Sequence, residues 1–258
     1  MFVSLKNKLV QFIHVPSTFI PFFSPSEVDY IVTNYFKGAF NSKTLRLEKI
    51  EYAGKNSAVL SFSEIDFFSL LTSNILYNKK EINEENEEIA NKILNFQNMN
   101  VKDTNVIGNL FFANNLAVSV LIEDVNKKKL IVKRGRALAI GADLVSVSVT
   151  GGVDFEDIYN SNPIFSAVKR EVEEELGLKI NDENIILEGV FIGENKLQPI
   201  AICSVNLEEV AEDLNIHGAD TKFEIDNFIW LEENEIDSLI NAPMTEASRF
   251  HLNLSKNH

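Results

Sequence analysis

Between residues 116 and 152 apolar and polar side chains alternate with the two-residue period of strands. LAVSVLIED, a turn at residues 125–128 and KLIVKR predict a hairpin. LVSVSVTGG follows, with Val145, Val147 and Val149 in strict alternation, and predicts a half-buried strand that runs straight into Gly151 and Gly152. The period then changes. Ile164, Val168, Val172 and Leu176 recur at helical spacing and predict a helix over Pro163–Leu176. Asn162 suits its N-cap, Pro163 its first position, and Gly177 a left-handed stop. NIILEGVFIG (184–193) and PIAICSV (199–205) read as strands, 207–214 as a short acidic helix, and 228–231 as a strand. Helices near 233–240 and over 244–254, after Pro243, close the chain.

The first hundred residues have a different rhythm. Residues 1–23 are Phe-rich and broken by prolines, which predicts a strand or an extended packing arm. A helix starting at Ser24 carries Val28, Ile31, Val32, Tyr35 and Phe36 and ends at Gly38. Residues 44–52 and 57–62 pair as a hairpin around Gly54 and Lys55. Ser63, with Asp66 three residues on, opens a second helix bearing Phe67, Phe68, Leu70, Leu71 and Ile75. The Glu/Asn-rich residues 79–91 fit a solvated helix and a mobile loop equally, and helical spacing resumes with Ile89, Ile93, Leu94 and Phe96. The Asn-rich stretch at 95–105 is the natural divide. It leaves an α+β extension over 1–105 and a mixed α/β domain over 106–258, with no flexible linker, so the two parts can pack as one unit.

Composition narrows the function. Of 258 residues 45% are apolar, enough for a large core, and no apolar run is long enough to cross a membrane. The N-terminal MFVSLKNKLVQFIHVPSTFIPFF is broken by His14, Pro16 and Pro21 and reads as folded chain rather than a signal peptide. A net charge of −14 argues against duplex nucleic acid or an anionic membrane as partner. The single cysteine, Cys203, sits in an apolar strand pattern; it excludes an internal disulfide and a cysteine-built zinc site, and fits a cytoplasmic protein.

The acid is concentrated where it has chemical meaning. On the helix over Pro163–Leu176, Glu171, Glu174 and Glu175 project to one side. Most Glu-rich faces are simply solvated. This one follows an apolar strand, a Gly-Gly turn and a capped helix start, and three carboxylates side by side repel unless a cation sits among them. Oxygen ligands suit Mg²⁺ or Mn²⁺, and no histidine is near to favour zinc. Arg170, four residues before Glu174, can orient that carboxylate. Gly151 and Gly152 bring bare backbone to the same place, with carbonyls or amides for a metal or a phosphate oxygen. Metal, phosphate and an activated water together make a setting for phosphoanhydride hydrolysis.

These residues resemble the Nudix box. Arg170, Glu171, Val172, Glu174, Glu175, Gly177 and Leu178 match the second half of G-x5-E-x7-R-E-U-x-E-E-x-G-U, where U is aliphatic, and the resemblance extends over roughly residues 115–235. It implies an α/β/α sandwich around a mixed sheet, preceded here by the α+β extension. It implies Mg²⁺- or Mn²⁺-dependent cleavage of a nucleoside diphosphate linked to another group, a small-molecule nucleotide substrate, and a homodimer as a common assembly. By resemblance Glu171, Glu174 and Glu175 are metal ligands, one of them assists the attacking water, with Glu171 and Glu174 the first candidates, and Arg170 holds the constellation; Gly152, from the glycine pair, is a further metal candidate. The first half departs from the pattern. The segment from Gly152 to Arg170 is about four residues too long, and Asn162 stands where the first Glu is expected; Asp154, Glu156 or Asp157 is available to replace it. EYAGKNSAVLSFSEIDFFSLLTSN is similar to the extension of a Nudix branch acting on UDP-sugars. Arg134 and Arg136 follow a strand and fit phosphate contacts and surface charges equally, Gly151 is a candidate substrate contact, and Glu224 stands where some Nudix enzymes place a catalytic or metal-binding carboxylate on a late loop. Trp230 reads as core, and the four histidines are assigned to no site. A nucleotide-binding module with little catalysis is the alternative. An isoprenoid diphosphate isomerase is disfavoured, because Cys203 lacks the setting such enzymes require.

Overall fold

The computed structural model describes all residues except 81, 83–85, 100–105, 137–141, 240–241 and 257–258, and only the backbone of Lys222. In chain order the elements are β1 (Phe2–Ser4), β2 (Leu9–His14), α1 (Pro25–Tyr35), β3 (Lys43–Tyr52), β4 (Ser57–Asp66), α2 (Phe67–Leu70, continuing as a π-turn over Leu71–Ile75) and α3 (Glu87–Gln97). Then come β5 (Ala117–Glu123), β6 (Lys129–Arg134), β7 (Val145–Val147), β8 (Val149–Gly152), α4 (Pro163–Leu176), β9 (Ile185–Ile192), β10 (Pro199–Asn206), α5 (Thr221–Glu224), β11 (Ile225–Leu231), α6 (Glu233–Leu239) and α7 (Glu246–Ser255).

An eight-stranded mixed sheet runs β1-β9-β10-β5-β6-β11, with β7 on β6 and β8 on β5. Among the described residues only β5 and β10 pair in parallel within it. Side chains on the two faces of β5 and β6 enter different cores. Val118, Val120, Ile122, Leu130 and Val132 meet Ile164, Val168, Val172 and Leu176 of α4. Leu121 and Ile131 face the other way, toward Ile236 and Leu252 of α6 and α7. The arrangement is therefore helix, mixed sheet, helix. The strand predicted from the alternating valines is in fact two, because the chain changes partner at Ser148. Its hydroxyl accepts from the Ile122 amide at 2.8 Å and donates to the Leu130 carbonyl at 2.7 Å, bridging both neighbours where backbone pairing lapses. Ser146 and Ser148 are buried as well as Val147 and Val149, since both faces of the sheet are covered.

The extension is woven into this core. Its first strand, β1, lies on β9 in the large sheet. The sheet β2-β4-β3 contributes Leu45, Leu47, Ala58, Leu60 and Phe62 to the same core that buries α4. The Leu45 amide donates to the Val153 carbonyl and the Leu116 amide to the Leu45 carbonyl, at 2.9 and 2.8 Å, so β3 clamps the chain just after the glycine pair. β3 also holds a buried ion pair. Arg46 is bonded to Glu48 and donates to the Asn109 and Phe112 carbonyls, while Glu48 accepts from Thr18 and Ser63.

Several boundaries differ from expectation. The second helix starts after Asp66 rather than Ser63, because β4 stays paired with β3 as far as Asp66, whose carboxylate then caps the Ser69 amide at 2.9 Å. The acidic helix over 207–214 is reduced to a 3-10 turn at Ala211–Asp213. Bonds from Leu207 to the Glu123 carbonyl, from Val125 to the Glu209 carbonyl and from the Ala211 amide to Asp124 keep that segment extended along the end of the β5–β6 hairpin. The last helix begins at Glu246, capped by Thr245. Residues 79–91 and the divide at 95–105 lie partly outside the described residues.

Candidate active site

The α4 helix has the predicted bounds. The Asn162 side chain caps the Phe165 amide, and Gly177 is left-handed with φ 71°. Its apolar stripe locks the helix to the sheet and turns Glu171 and Glu175 inward, next to β8. A Cβ at Gly151 would lie 1.9 Å from the Glu171 carboxyl carbon, so glycine is what admits that carboxylate to the strand end. Glu175 is 3% exposed, and its Oε1 has no hydrogen-bond partner. Glu174 opens to solvent at 44% side-chain exposure.

Arg170 ties the site together. One terminal nitrogen donates to Glu171 at 2.8 Å and Glu174 at 3.2 Å; the other donates to the Gly152 carbonyl at 2.8 Å and to Asp157 at 3.2 Å, with Asp154 at 3.4 Å. The lengthened loop thus supplies a buried acid for the arginine from within a 3-10 turn over Phe155–Tyr159. Asp157 is fixed by the Ser166 hydroxyl and the Asp154 amide, whereas Glu156 is exposed. Of the three acids named for this role, Asp157 has the closest contact with Arg170 and Asp154 assists.

Glu224 comes to the same place from the far side of the chain. The segment before α5 folds over the C-terminal end of α4, with the Asp220 amide on the Glu174 carbonyl at 2.9 Å and Thr221 on the Glu175 carbonyl. The Glu224 carboxylate then lies 3.8 Å from Arg134, which also bonds Thr150. The Arg134 Nε is buried without a partner. Arg136 is exposed and near Asp143, away from this cluster.

Burial dominates the electrostatics. It pushes the Glu171 carboxyl up to about 7 against the pull of Arg170. It pushes Glu175 well above the usual carboxylate range, helped by the neighbouring Glu171 and Glu224 charges. Glu224 is raised by burial too, against Arg134. Such shifts mark charges held in place without adequate compensation. Among the described residues no three acidic, histidine or cysteine side chains converge as a ready-made metal sphere, and Arg170 stands between Glu171 and Glu174. The donor set nevertheless suits a hard divalent cation: it is all oxygen, one buried carboxylate oxygen is unbonded, and Gly151 leaves room beside another.

A helix carrying Arg170, Glu171, Glu174 and Glu175 packs against a strand ending in two glycines, on one face of a mixed sheet whose other face carries α7. This is the arrangement that the resemblance to the Nudix box implies. Solved structures similar to this chain include a MutT protein from Methanosarcina mazei (17% identity, TM-score 0.41, covering 55% of this chain and 93% of that one) and a Nudix hydrolase from Alicyclobacillus acidocaldarius (13%, TM-score 0.42, 54% and 89%). A third is a Nudix hydrolase from Nitrosomonas europaea (18%, TM-score 0.39, 55% and 88%). No protein-family profile matches the chain, and no curated protein does. What sequence reasoning missed is Lys196. It sits in an ordinary-looking turn, ENKLQ, between two strands, and only the fold carries it to the glycine pair.

Proposed function

We propose that the protein is a divalent-cation-dependent pyrophosphohydrolase that cleaves the phosphoanhydride of a nucleoside diphosphate derivative, with nucleotide sugars such as UDP-sugars as first candidates. The observation that carries this reading is the pair of buried, under-compensated carboxylates, Glu171 and Glu175, packed against Gly151. Glu171, Glu174 and Glu175 would hold Mg²⁺ or Mn²⁺, which when bound neutralises phosphate oxygens and acidifies a water. The solvent-exposed Glu174 is free to turn from Arg170 toward the other two. The Gly152 carbonyl, already engaged by Arg170, fixes the strand end at the site. Arg170, braced by Asp157, holds Glu171 and Glu174 in place. Glu224 is the proton acceptor for the attacking water, its pKa raised by burial, the direction that strengthens a carboxylate as a base. Arg134 steadies a phosphate from the opposite side, and the bare backbone of Gly151 permits close approach.

A hydrolysis screen with Mg²⁺ tests this, using UDP-glucose, ADP-ribose, NADH, dinucleoside polyphosphates and nucleoside triphosphates. Turnover of at least one diphosphate-linked compound, lost in a Glu174→Gln/Glu175→Gln variant, is expected. Undiminished turnover in that variant would overturn the site. Tight nucleotide binding with no product, even with Mn²⁺ at alkaline pH, would favour a binding module.

A further inference from the structure

A cavity of about 470 Å³ has Gly151 and Gly152 in its wall. Its lining brings together distant parts of the chain, among them Arg134 from β6, Lys196 from the β9–β10 turn, and Thr44 and Phe67 from the extension. Two cations therefore share one cavity. Arg134 presents a buried, unpartnered Nε. Lys196 has no hydrogen bond or ion pair among the described residues, and burial together with the Arg134 charge pushes its amine down to about 8.

Glu246, the first residue of α7, is the obvious counter-ion, and it is occupied. Its two carboxylate oxygens accept the Glu194 and Asn195 amides at 2.8 and 3.1 Å. A Cβ at Gly193 would lie 2.3 Å from one of these oxygens, so the turn is shaped around that carboxylate. The extension holds the turn from the other side. Asn74 donates to the Leu197 carbonyl at 2.9 Å, and Asn78 donates to the Glu194 and Asn195 carbonyls at 2.7 and 3.1 Å. Asn74 is wholly buried, also accepts from the Asn114 amide, and lies in the π-turn that continues α2, an irregularity often retained at functional sites. A surface turn needs none of this bracing. A turn that must present one ammonium group beside an arginine does.

We infer that Lys196 contacts the substrate and, with Arg134, binds phosphate oxygens of a nucleoside diphosphate derivative, while Asn74 and Asn78 of the extension are positioning residues for it. This rests on the function proposed above. An anion between the two cations relieves their repulsion and satisfies the unpartnered Arg134 donor. Phe67 and Phe191 offer apolar wall to the uncharged part of the ligand.

The test uses the full chain with Mg²⁺. Calorimetry gives Kd for inorganic pyrophosphate and ADP, and kinetics give KM and kcat for whichever diphosphate is cleaved. Lys196→Ala is expected to weaken binding about 10-fold or more and to raise KM with a much smaller change in kcat, while Lys196→Arg restores most of the affinity. Asn78→Ala is expected to raise KM a few-fold (~3) at unchanged thermal stability, which a purely structural residue would not do; Asn74→Ala acts in the same direction if it folds. Wild-type affinity and KM in Lys196→Ala would overturn the inference and leave hydrolysis standing. Lys196-dependent pyrophosphate binding by a protein that cleaves nothing would uphold the inference and overturn the hydrolase reading. No binding of either probe by the wild type would overturn both.

Discussion

Two clusters of buried charge among the described residues are built on opposite principles. In the first, Arg46 and Glu48 are paired, and the remaining donors and acceptors are taken by Thr18, Ser63 and the carbonyls of Asn109 and Phe112. Among the described residues, no side-chain polar atom of that pair is left unbonded. In the second, one arginine serves Glu171, Glu174, Asp154 and Asp157, while Glu175 Oε1 and Arg170 Nε have no partner. A closed network of buried charges holds chain segments together and asks for nothing more. An open network with surplus negative charge is unstable alone and selects a cation. The difference separates a structural knot from the proposed site without recourse to the motif.

Substitutions break the comparison in opposite directions. The largest effect is expected at the open cluster: Glu174→Gln/Glu175→Gln should lower Mg²⁺-supported turnover on the order of 10³-fold with no loss of thermal stability. At the closed cluster Glu48→Ala should cost about 3 kcal/mol, because it strands a buried guanidinium, and denaturant unfolding reads it directly; turnover per folded molecule should not change. Glu171 gives the converse sign. Its folded pKa of about 7 lies above the ordinary carboxylate value, so its ionisation costs stability as pH rises from about 4.5 to 7 and the cost is complete above that. Glu171→Gln should therefore stabilise the metal-free protein at pH 8 by about 2 kcal/mol, while removing stabilisation by Mg²⁺.

His251 sharpens the rule. It too has a buried, unpartnered nitrogen, but it is neutral and calls for no counter-ion. Burial, with Lys129 nearby, pushes its pKa down to about 3. Unfolded chains then bind the extra proton below about pH 6.5, so stability is lost as pH falls through that range. Of the acid destabilisation between pH 7 and 5, about 2 kcal/mol should vanish in His251→Gln. The smallest effect is at the brace: Asp157→Asn should lower turnover about 10-fold and leave the fold intact.

The site-bearing helix was legible because its information is local. Asn162, Pro163 and Gly177 bound it, and a four-residue apolar period orients it. The replacement for the missing first acid was not legible, since a longer loop can place any of three acids near Arg170 and only packing selects Asp157. The break at Ser148 was invisible because a serine in an alternating strand looks solvated, and its burial depends on helices far along the chain. Lys196 was hidden for the same reason, its environment being assembled from β6, α7 and the extension. The 207–214 segment misled because acidic residues at helical spacing do not reveal bonds to a distant hairpin.

The central claim is that the open cluster on α4 is a cation site. Titration with Mn²⁺ followed by electron paramagnetic resonance tests it most directly. The wild type is expected to bind Mn²⁺, Glu171→Gln/Glu175→Gln to abolish that binding, and Glu48→Ala, where folded, to keep it. Mn²⁺ binding that survives in Glu171→Gln/Glu175→Gln, or its absence in the wild type, would contradict it.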